Sequence, residues 1–584
     1  MTDMHDMPDI EDALSIECAS SDRLRLEDSR RLTGPGVMWD HPGAILEVHH
    51  KGFDPDRIAE LWRKQARRVL DAIGWQQEQI TDRAFEDGLN LAISAPMDQL
   101  YSAIFAAETA WHFIAAELLG APAGDFDRMI ADLRDVMARE ANPALLRLIE
   151  AGVAHGVDVL CDDDEVSVGH GAGSRTWPIA EIPDPEAVDW PAHYNVPIAL
   201  ITGTNGKTTT TRLCAAVAKA AGKVSGLTST DFVRVGEDVL DRGDYSGPGG
   251  ARLLLRDKRL EVAYLEVARG GILRRGLATR KARVAVVTNV AADHLGQYGV
   301  NTVEELARAK FAVHRALADD GALVLNADDA YVRAEAARTE APIWWFSLDR
   351  QNPLLDAARK VGMPCAWEEA GALVLFDGSV EQHIADVVDV PITVDGAARH
   401  NVRNALAATL VSHAMGIAAS DIGKGLTGFQ SDPTDNPGRF NEFDVNGARV
   451  FVDFAHNPHS IAAVAETVSG IRAKRRFVLL SHAGDRSDQD IRDVTETALG
   501  LVPDYVVAAE LEDYLRGREA GEVTRLIVDT CAAKGMPEER VIKANSPVEG
   551  TEKVMEIIEP GDVALLLILS EREAVFRVLR GEDG

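Results

Sequence analysis

The sequence predicts an α/β protein of several domains, and three observations carry that reading. Short apolar runs alternate with helical patterns through the later part of the chain: "VAYLEV", "VAVVTNV", "GALVLNA", "RVFVDFAH", "RFVLLSHAG", "DYVVAAE" and "DVALLLILS". Such alternation makes parallel sheets whose ligands bind at the carboxyl ends of the strands. One further run, "VPIALITGTNGKTTT", passes through a glycine turn directly into a helix. Finally, 584 residues, 46% of them hydrophobic, exceed what one core holds, so about three or four domains are expected.

In chain order, residues 1–40 mix acidic and polar side chains without sustained periodicity, which predicts a flexible acidic tail. Residues 41–190 are expected to form a mostly helical N-terminal domain for substrate or assembly, together with its linker. From Pro55 the positions Ile58, Leu61, Trp62, Val69 and Ile73 share one helical stripe that Gly74 closes, and further helical patterns run near 98–119 and 125–155. The acidic Asp162–Glu165, the glycine-rich "GHGAGSR", and Pro178, Pro183, Pro185 and Pro191 read as the linker. A central domain over 191–432 and a C-terminal domain over 433–584 follow, separated by "SDPTDNPGR" at 431–439.

The glycine turn is built for phosphate. Val196–Ile201 reads as a buried strand and Thr208–Ala221 as a helix stopped by Gly222. Gly203, Thr204, Asn205 and Gly206 leave backbone N–H groups free to converge at the helix start, where the dipole favours an anion. Ile201 stands where the longer GxxxxGK[ST] loop has its first glycine, so this is the shorter GTNGKT type. Lys207 would reach the outer phosphates, Thr208 would offer its hydroxyl to Mg²⁺, and Thr209 continues the cradle.

Other candidates lie at strand ends. Glu266 in "LEVARGGILRRGL" could complete the shell of a Mg²⁺ held by Thr208 and ATP, and Asp293 and His294 in "VTNVAADHLGQYG" share the same rim. In "TVEELARAKFAVHRAL" Lys310 falls on the apolar stripe of Val303, Leu306, Val313 and Leu317. An inward lysine favours its neutral amine, which could take up CO₂ as a carbamate and ligate a second Mg²⁺; the alternative is a lysine snorkelling at a helix edge. Arg269, Arg274, Arg275, Arg280, Lys281 and Arg283 form a run without acid, either a substrate-carboxylate grip or, for its later members, a solvated helix face. Asn401 and Asn404 in "ARHNVRNALAAT" could bond a base edge or act as helix caps. "NPGRF" carries Arg439, "DFAHNPHS" carries Asp453 and His456, and "AGDRSD" carries Asp485 and Arg486.

Taken in order, GTNGKTTT, ARGGILRRGL, NVAADHLG, ELARAK, NADD, RHNVRNALAA, NPGRF, DFAHNP and GDRSD resemble the Mur ligase superfamily from about 195 to 575. The likeness is closest to the Mur-like portion of cyanophycin synthetases, through "GDYSGPGGA", "ARGGILRRGL" and "LRGREAGE", without their ATP-grasp domain. The resemblance implies a Mur-ligase-like central P-loop ATPase domain and a C-terminal Rossmann-like α/β domain, with ATP and Mg²⁺. It implies that Lys207 and Thr208 hold phosphates and Mg²⁺, that Glu266 and His294 are metal ligands, and that Lys310 is carbamylated. Asn401 and Asn404 would face adenine, Asp453 the ribose, and Arg439 and His456 the phosphate end; Asp485 and Arg486 would border the amine pocket. The N-terminal region does not resemble the nucleotide-sugar domain of peptidoglycan ligases, which argues against a UDP-muramyl substrate.

The function expected is an ATP-dependent ligase that joins a carboxylate to an amine, in an amide or isopeptide bond, through an acyl phosphate. Small-molecule or peptide carboxylates and amino acids are the expected partners, and a homo-oligomer fits the reading. The rivals are a P-loop ATPase or kinase acting on a hydroxyl, and a non-catalytic ATP-binding partner of a polymer synthetase. A net charge of −32 argues against nucleic acid, whose phosphates demand basic surface. Five scattered cysteines with no CxxC pair argue against disulfides and zinc and for a reducing cytoplasm. No signal segment begins the chain, and "VALLLILS" is too short to span a bilayer, so no membrane partner is expected.

Overall fold

Leu24–Leu32 (β1), inside the stretch expected to be a tail, is a strand. With Gly43–His50 (β2), Ile80–Phe85 (β3) and Gly88–Ser94 (β4) it forms an antiparallel sheet in the order β1-β2-β4-β3. The flexible tail is therefore corrected, and the helices expected after it pack on one face of a sheet that the sequence did not announce. A bulge between Leu26 and Asp28 shifts the register of β1, which breaks the period-two alternation that marks a half-buried strand. The helices Pro55–Ile73, Leu100–Leu119 and Phe126–Glu140 bury Trp62, Trp111 and Leu133 against Leu46, Val48, Leu89 and Leu91. The structure, a computed structural model, describes residues 9–433 and 436–582. The first eight residues of the expected tail, and Thr434 and Asp435 in the proline-rich stretch, lie outside the described residues.

The stretch read as a linker carries a small antiparallel sheet of Val159–Cys161 (β5), Glu165–Val168 (β6) and Arg175–Pro178 (β7). Its own apolar cluster gathers Val166, Val168 and Trp190.

The central sheet has eleven strands: Ile198–Thr202 (β8), Ser225–Thr228 (β9), Phe232–Val235 (β10), Asp238–Arg242 (β11), Val262–Glu266 (β12), Ala282–Val287 (β13), Leu317–Asn326 (β14), Ile343–Ser347 (β15), Cys365–Glu369 (β16), Ala372–Phe376 (β17) and Glu381–Asp386 (β18). Their order is β11-β10-β9-β12-β8-β13-β14-β15-β16-β17-β18, with β9 through β16 of that order parallel and antiparallel hairpins at both edges. Strand β8 shows why parallel strands read as continuous apolar runs: Ile198 and Leu200 enter one core, Ala199 and Ile201 the other. Helices Lys207–Ala220 and Arg399–Ala414 cover the second face, and helix Val303–Phe311 the first.

The C-terminal sheet contains Asn441–Val445 (β19), Ala448–Asp453 (β20), Arg476–Leu480 (β21), Tyr505–Ala509 (β22), Val541–Ala544 (β23) and Val563–Leu567 (β24), ordered β19-β20-β24-β21-β22-β23. All but β19 run parallel. The apolar "VALLLILS" stretch supplies β24, wholly buried inside this sheet. Among the described residues no helix is long and apolar enough to cross a membrane. The two large sheets meet at the carboxyl ends of their strands, because side chains from the turn after β8 bond those after β20.

Candidate active site

The turn after β8 needs glycine at two points. Gly203 has φ +148, and a Cβ there would lie 1.9 Å from Thr288 Oγ1; Gly206 has φ +85, and a Cβ would lie 2.3 Å from Asn404 Oδ1. The segment after β13 straps the loop from outside. Thr204 N–H donates to Asn289 O at 2.9 Å, Asn205 N–H to Asn289 Oδ1 at 3.0 Å, and Thr288 Oγ1 to Asn205 O at 2.7 Å. Lys207 Nζ donates to Thr204 O at 3.0 Å, so the lysine lies over its own loop at the start of the helix.

Beneath the loop, Thr208 Oγ1 donates to Glu266 Oε2 at 2.9 Å, while Glu266 Oε1 is buried without a hydrogen bond. Burial raises the Glu266 carboxyl, and Lys207 and Arg439 pull it back. A carboxylate oxygen orphaned beside a hydroxyl suits a hard divalent cation, which takes oxygen ligands. Lys310 is 4% exposed and donates to Gly203 O at 2.8 Å. Its helix starts at a Thr302–Glu305 capping box and ends at Phe311, so Val313 and Leu317 of the expected stripe lie beyond it. Burial, with Lys207 nearby, holds the Lys310 amine well below the usual lysine range.

Asp293, His294 and His456 bring one ligand atom each within 4.8 Å of one another. Burial raises the Asp293 carboxyl, but His456, His294, Arg486 and Lys310 outweigh it and hold the group ionised. Burial lowers His294 to about 4. Arg486 Nη2 lies 2.8 Å from His294 Nε2, and a guanidinium only donates, so Nε2 is the acceptor and Nδ1 carries the proton. His294 sits at φ +51, an unusual conformation for a non-glycine residue. Arg269 bonds the His294 carbonyl and, at 2.8 Å, Gln297 Oε1.

A cavity of about 230 Å³ opens beside the loop between the two sheets. Of the residues expected at a nucleotide it is lined by Asn205, Gly206, Thr209, Asn401, Asn404, Arg439, Asp453 and His456. Asn401 donates to Ile392 O at 2.9 Å and Asn404 to Asn401 Oδ1 at 3.0 Å, which fixes both amides within the helix start. Arg439 lies 4.8 Å over the Phe454 ring and reaches Thr208 Oγ1 at 3.4 Å. Asp453 accepts from Ala455 N–H at 2.7 Å, and burial, opposed by Arg439, pushes its carboxyl up to about 6. Asn205 and Asn457 exchange amide bonds at 3.2 and 3.1 Å across the two domains, and Asn205 Nδ2 meets His459 Nδ1 at 2.9 Å.

Some expectations disperse. The basic run is not one island: Lys281 pairs with Asp158, Arg283 pairs with Asp320, and the Arg275 carbonyl accepts from Thr33. Arg274 is exposed at the end of its helix and Arg269 bonds the His294 turn, and neither lines the cavity. Asp485 pairs with Arg516 at 2.5 Å, one residue from Arg486. Sequence reasoning missed Thr288, Asn289, Asn457 and His459. The signal available was the density of polar residues directly after two apolar strands, in "VVTNV" and "FAHNPHS".

Residues 201–412 match the family model of the Mur ligase middle domain, and 438–567 that of the Mur ligase, glutamate ligase domain. The chain belongs to the Mur ligase superfamily. This Mur-type chain is similar to cyanophycin synthetase of Crocosphaera subtropica, 42% identical over 335 residues, which are 57% of this chain and 38% of that protein. It is also similar to the UDP-N-acetylmuramate–L-alanine ligase of Stenotrophomonas maltophilia, 29% identical over 377 residues, covering 63% of this chain and 70% of the relative. Among solved structures, Mycobacterium tuberculosis folylpolyglutamate synthase complexed with ADP aligns with a TM-score of 0.49 and 19% identity over 66% of this chain and 91% of that one. The chain spans less than half the length of the cyanophycin synthetases it matches. Its antiparallel N-terminal sheet precedes both family matches.

Proposed function

We propose that this Mur-type chain is an ATP-dependent, ADP-forming ligase that joins a carboxylate to an amine, in an amide or isopeptide bond, through an acyl phosphate. The supporting observation is convergence: the phosphate loop and the Asp453–His456 turn line one cleft between two sheets, and the buried Glu266 and Lys310 bond that loop and its helix start from beneath.

In this reading a carboxylate oxygen attacks the γ-phosphorus of ATP; the new O–P bond forms as the β–γ bridging bond breaks, and ADP leaves. The amine then attacks the acyl carbon, phosphate departs, and the nitrogen loses a proton. Carboxylate and triphosphate repel, and fixed cations stabilise the charge in transfer. Lys207 turns from Thr204 O to the outer phosphates, and Arg439 faces them from the other sheet. Asn401 and Asn404 meet the adenine edge and Asp453 the ribose hydroxyls. Arg269 orients the acid, while Arg486 and Asp485 border the amine.

The donor sets fit Mg²⁺: Thr208 with Glu266, and His294 with a carbamate on Lys310, whose neutral buried amine is the form that takes up CO₂. Bound there, the metal neutralises phosphate charge. The Asn205–Asn457 pair joins the domains over the cleft and keeps water from the acyl phosphate.

The test is phosphate release by the purified protein against a matrix of amino acids, dipeptides and acidic polymers. Release that requires one acid and one amine together supports the ligase; release that needs ATP alone, or ATP and a hydroxyl acceptor, contradicts it.

A further inference from the structure

The backbone between His294 and the helix Val303–Phe311 joins two residues that the ligase reading puts on one metal ion, His294 and Lys310. It is an awkward stretch of chain. His294 and Tyr298 have φ +51 and +56, and Gly296 and Gly299 have φ +84 and +64. A histidine and a tyrosine keep that conformation only where their surroundings over-determine it. The turn's own backbone supplies two bonds: Gly296 N–H donates to Val300 O at 2.9 Å and Val300 N–H to Gln297 O at 3.2 Å. Val300 is wholly buried in the central core, and Asn301 N–H and Thr302 N–H then donate to Glu305 Oε2 at 2.7 and 3.1 Å, where the helix of Lys310 begins.

The N-terminal sheet holds the middle of this turn from outside. On β3, Arg83 pairs with Asn90 of β4 and Phe85 with Gly88, so the two side chains share a face. The alternate positions Leu89 and Leu91 face the helices, which turns Arg83 and Phe85 toward the central domain. Arg83 Nη2 donates to Tyr298 O at 3.0 Å. Its guanidinium is aimed by Asn90, a buried side chain whose Oδ1 accepts from it at 3.2 and 2.7 Å. The Phe85 ring lies against Gly299, where a Cβ would come within 2.4 Å of Cδ1. Glycine thus serves the turn twice, in its φ and in letting the ring approach.

The Tyr298 ring is held in the same way. Arg30 of β1 lies 5.2 Å from its centroid, and Arg269, which bonds the His294 carbonyl, lies at 6.0 Å. Backbone bonds close the contact beside it: Thr33 N–H donates to Arg275 O at 2.9 Å and Leu277 N–H to Pro35 O at 2.7 Å. What space remains is a cavity of about 20 Å³ walled by Leu32, Ile45, Ile272 and Leu273, onto which the buried, unbonded Arg30 Nε, Trp39 Nε1 and Asn90 Nδ2 open. That is room for about one water, so the contact is a fitted joint and no passage for substrate.

We propose that the N-terminal sheet is part of the scaffold of the reaction centre, with Arg83 and Phe85 as positioning residues. They fix the 294–300 turn and, through it, the spacing between His294 and the helix that carries Lys310. The inference rests on the ligase reading above and gives the N-terminal domain a role in it. Neither side chain touches the reacting groups: Arg83 acts through the Tyr298 carbonyl and Phe85 through Gly299. The Thr208–Glu266 pair, on the other side of the loop after β8, is outside their reach and serves as an internal reference.

The experiment follows hydrogen exchange of the full chain at Gly296 and Val300, with helix Leu100–Leu119 as the report on folding, and Mn²⁺ binding by electron paramagnetic resonance with a non-hydrolysable ATP analogue in bicarbonate buffer. Arg83→Met and Phe85→Ala are expected to speed exchange in the turn about tenfold or more. They should weaken one of two bound Mn²⁺ about tenfold and leave the other within about twofold, as a lost support behind one ligand set does. Arg83→Lys, which still donates to Tyr298 O, retains part of both. If Arg83→Met also exposes the reference helix, Phe85→Ala decides by the same two readouts. Unchanged exchange in the turn, or faster exchange with both Mn²⁺ affinities unmoved, overturns the proposal. A wild type that binds no Mn²⁺ with the analogue overturns the ligase reading instead, and the two failures are separately visible.

Discussion

The cleft beside the phosphate loop and the cavity beneath the N-terminal sheet are built on opposite electrostatic plans. The cleft mixes signs at short range: Glu266, Asp293 and Asp453 face Lys207, Lys310, Arg439 and Arg486, and burial shifts the acids and the lysine in opposite senses. The cavity offers unmet donors and, in Arg83, a guanidinium without an ion pair among the described residues. Mixed charge suits a triphosphate with its cation and a step in which charge moves. Donors alone suit a fixed acceptor, and about 20 Å³ is the space of a single water.

Substitutions sharpen that division, beginning with the largest effect. Lys207→Met should lower phosphate release by about a thousandfold or more. Activity within tenfold of wild type would remove the cleft from its role. Glu266→Gln keeps an oxygen for Thr208 but removes the charge; release should fall about a hundredfold, and a Mg²⁺ titration should show the midpoint displaced upward. Asn205→Ala should reduce turnover about tenfold, and Asn457→Ala about equally, with the double variant little worse than either, because both break one reciprocal pair.

The smallest effect is a pH dependence of stability. Asp453 sits at about 6 in the fold against an ordinary value of 3.8. The folded protein thus holds this proton more tightly than the unfolded chain. Its contribution is complete below about pH 4 and is lost as pH rises through 6. Asp453→Asn removes the slope, so the unfolding free energy of the variant in urea should gain on wild type by about 2 kcal/mol between pH 4 and pH 7. Parallel curves would show that Asp453 is better solvated than its place in the cleft implies.

What was legible from sequence was whatever local spacing encodes. The loop, Glu266 at its strand end and the inward Lys310 each follow from a period or a turn within about a dozen residues. The strap of Thr288 and Asn289 and the Asn205–Asn457 pair depend on which strands lie side by side, and no local pattern carries that. Strand β1 was hidden by its bulge, and by a polar face that lies against another domain rather than water. The basic run failed for a related reason: neighbours in sequence at 269–283 pass through a helix and a turn into a strand, and Lys281 and Arg283 meet different acids.

Hydroxylamine trapping asks the central question most directly. With ATP, Mg²⁺ and the acid that supports phosphate release but no amine, the wild type should yield hydroxamate in step with ADP, and Lys207→Met none. ADP formed without hydroxamate, at any hydroxylamine concentration, would mean that no acyl phosphate arises in the cleft.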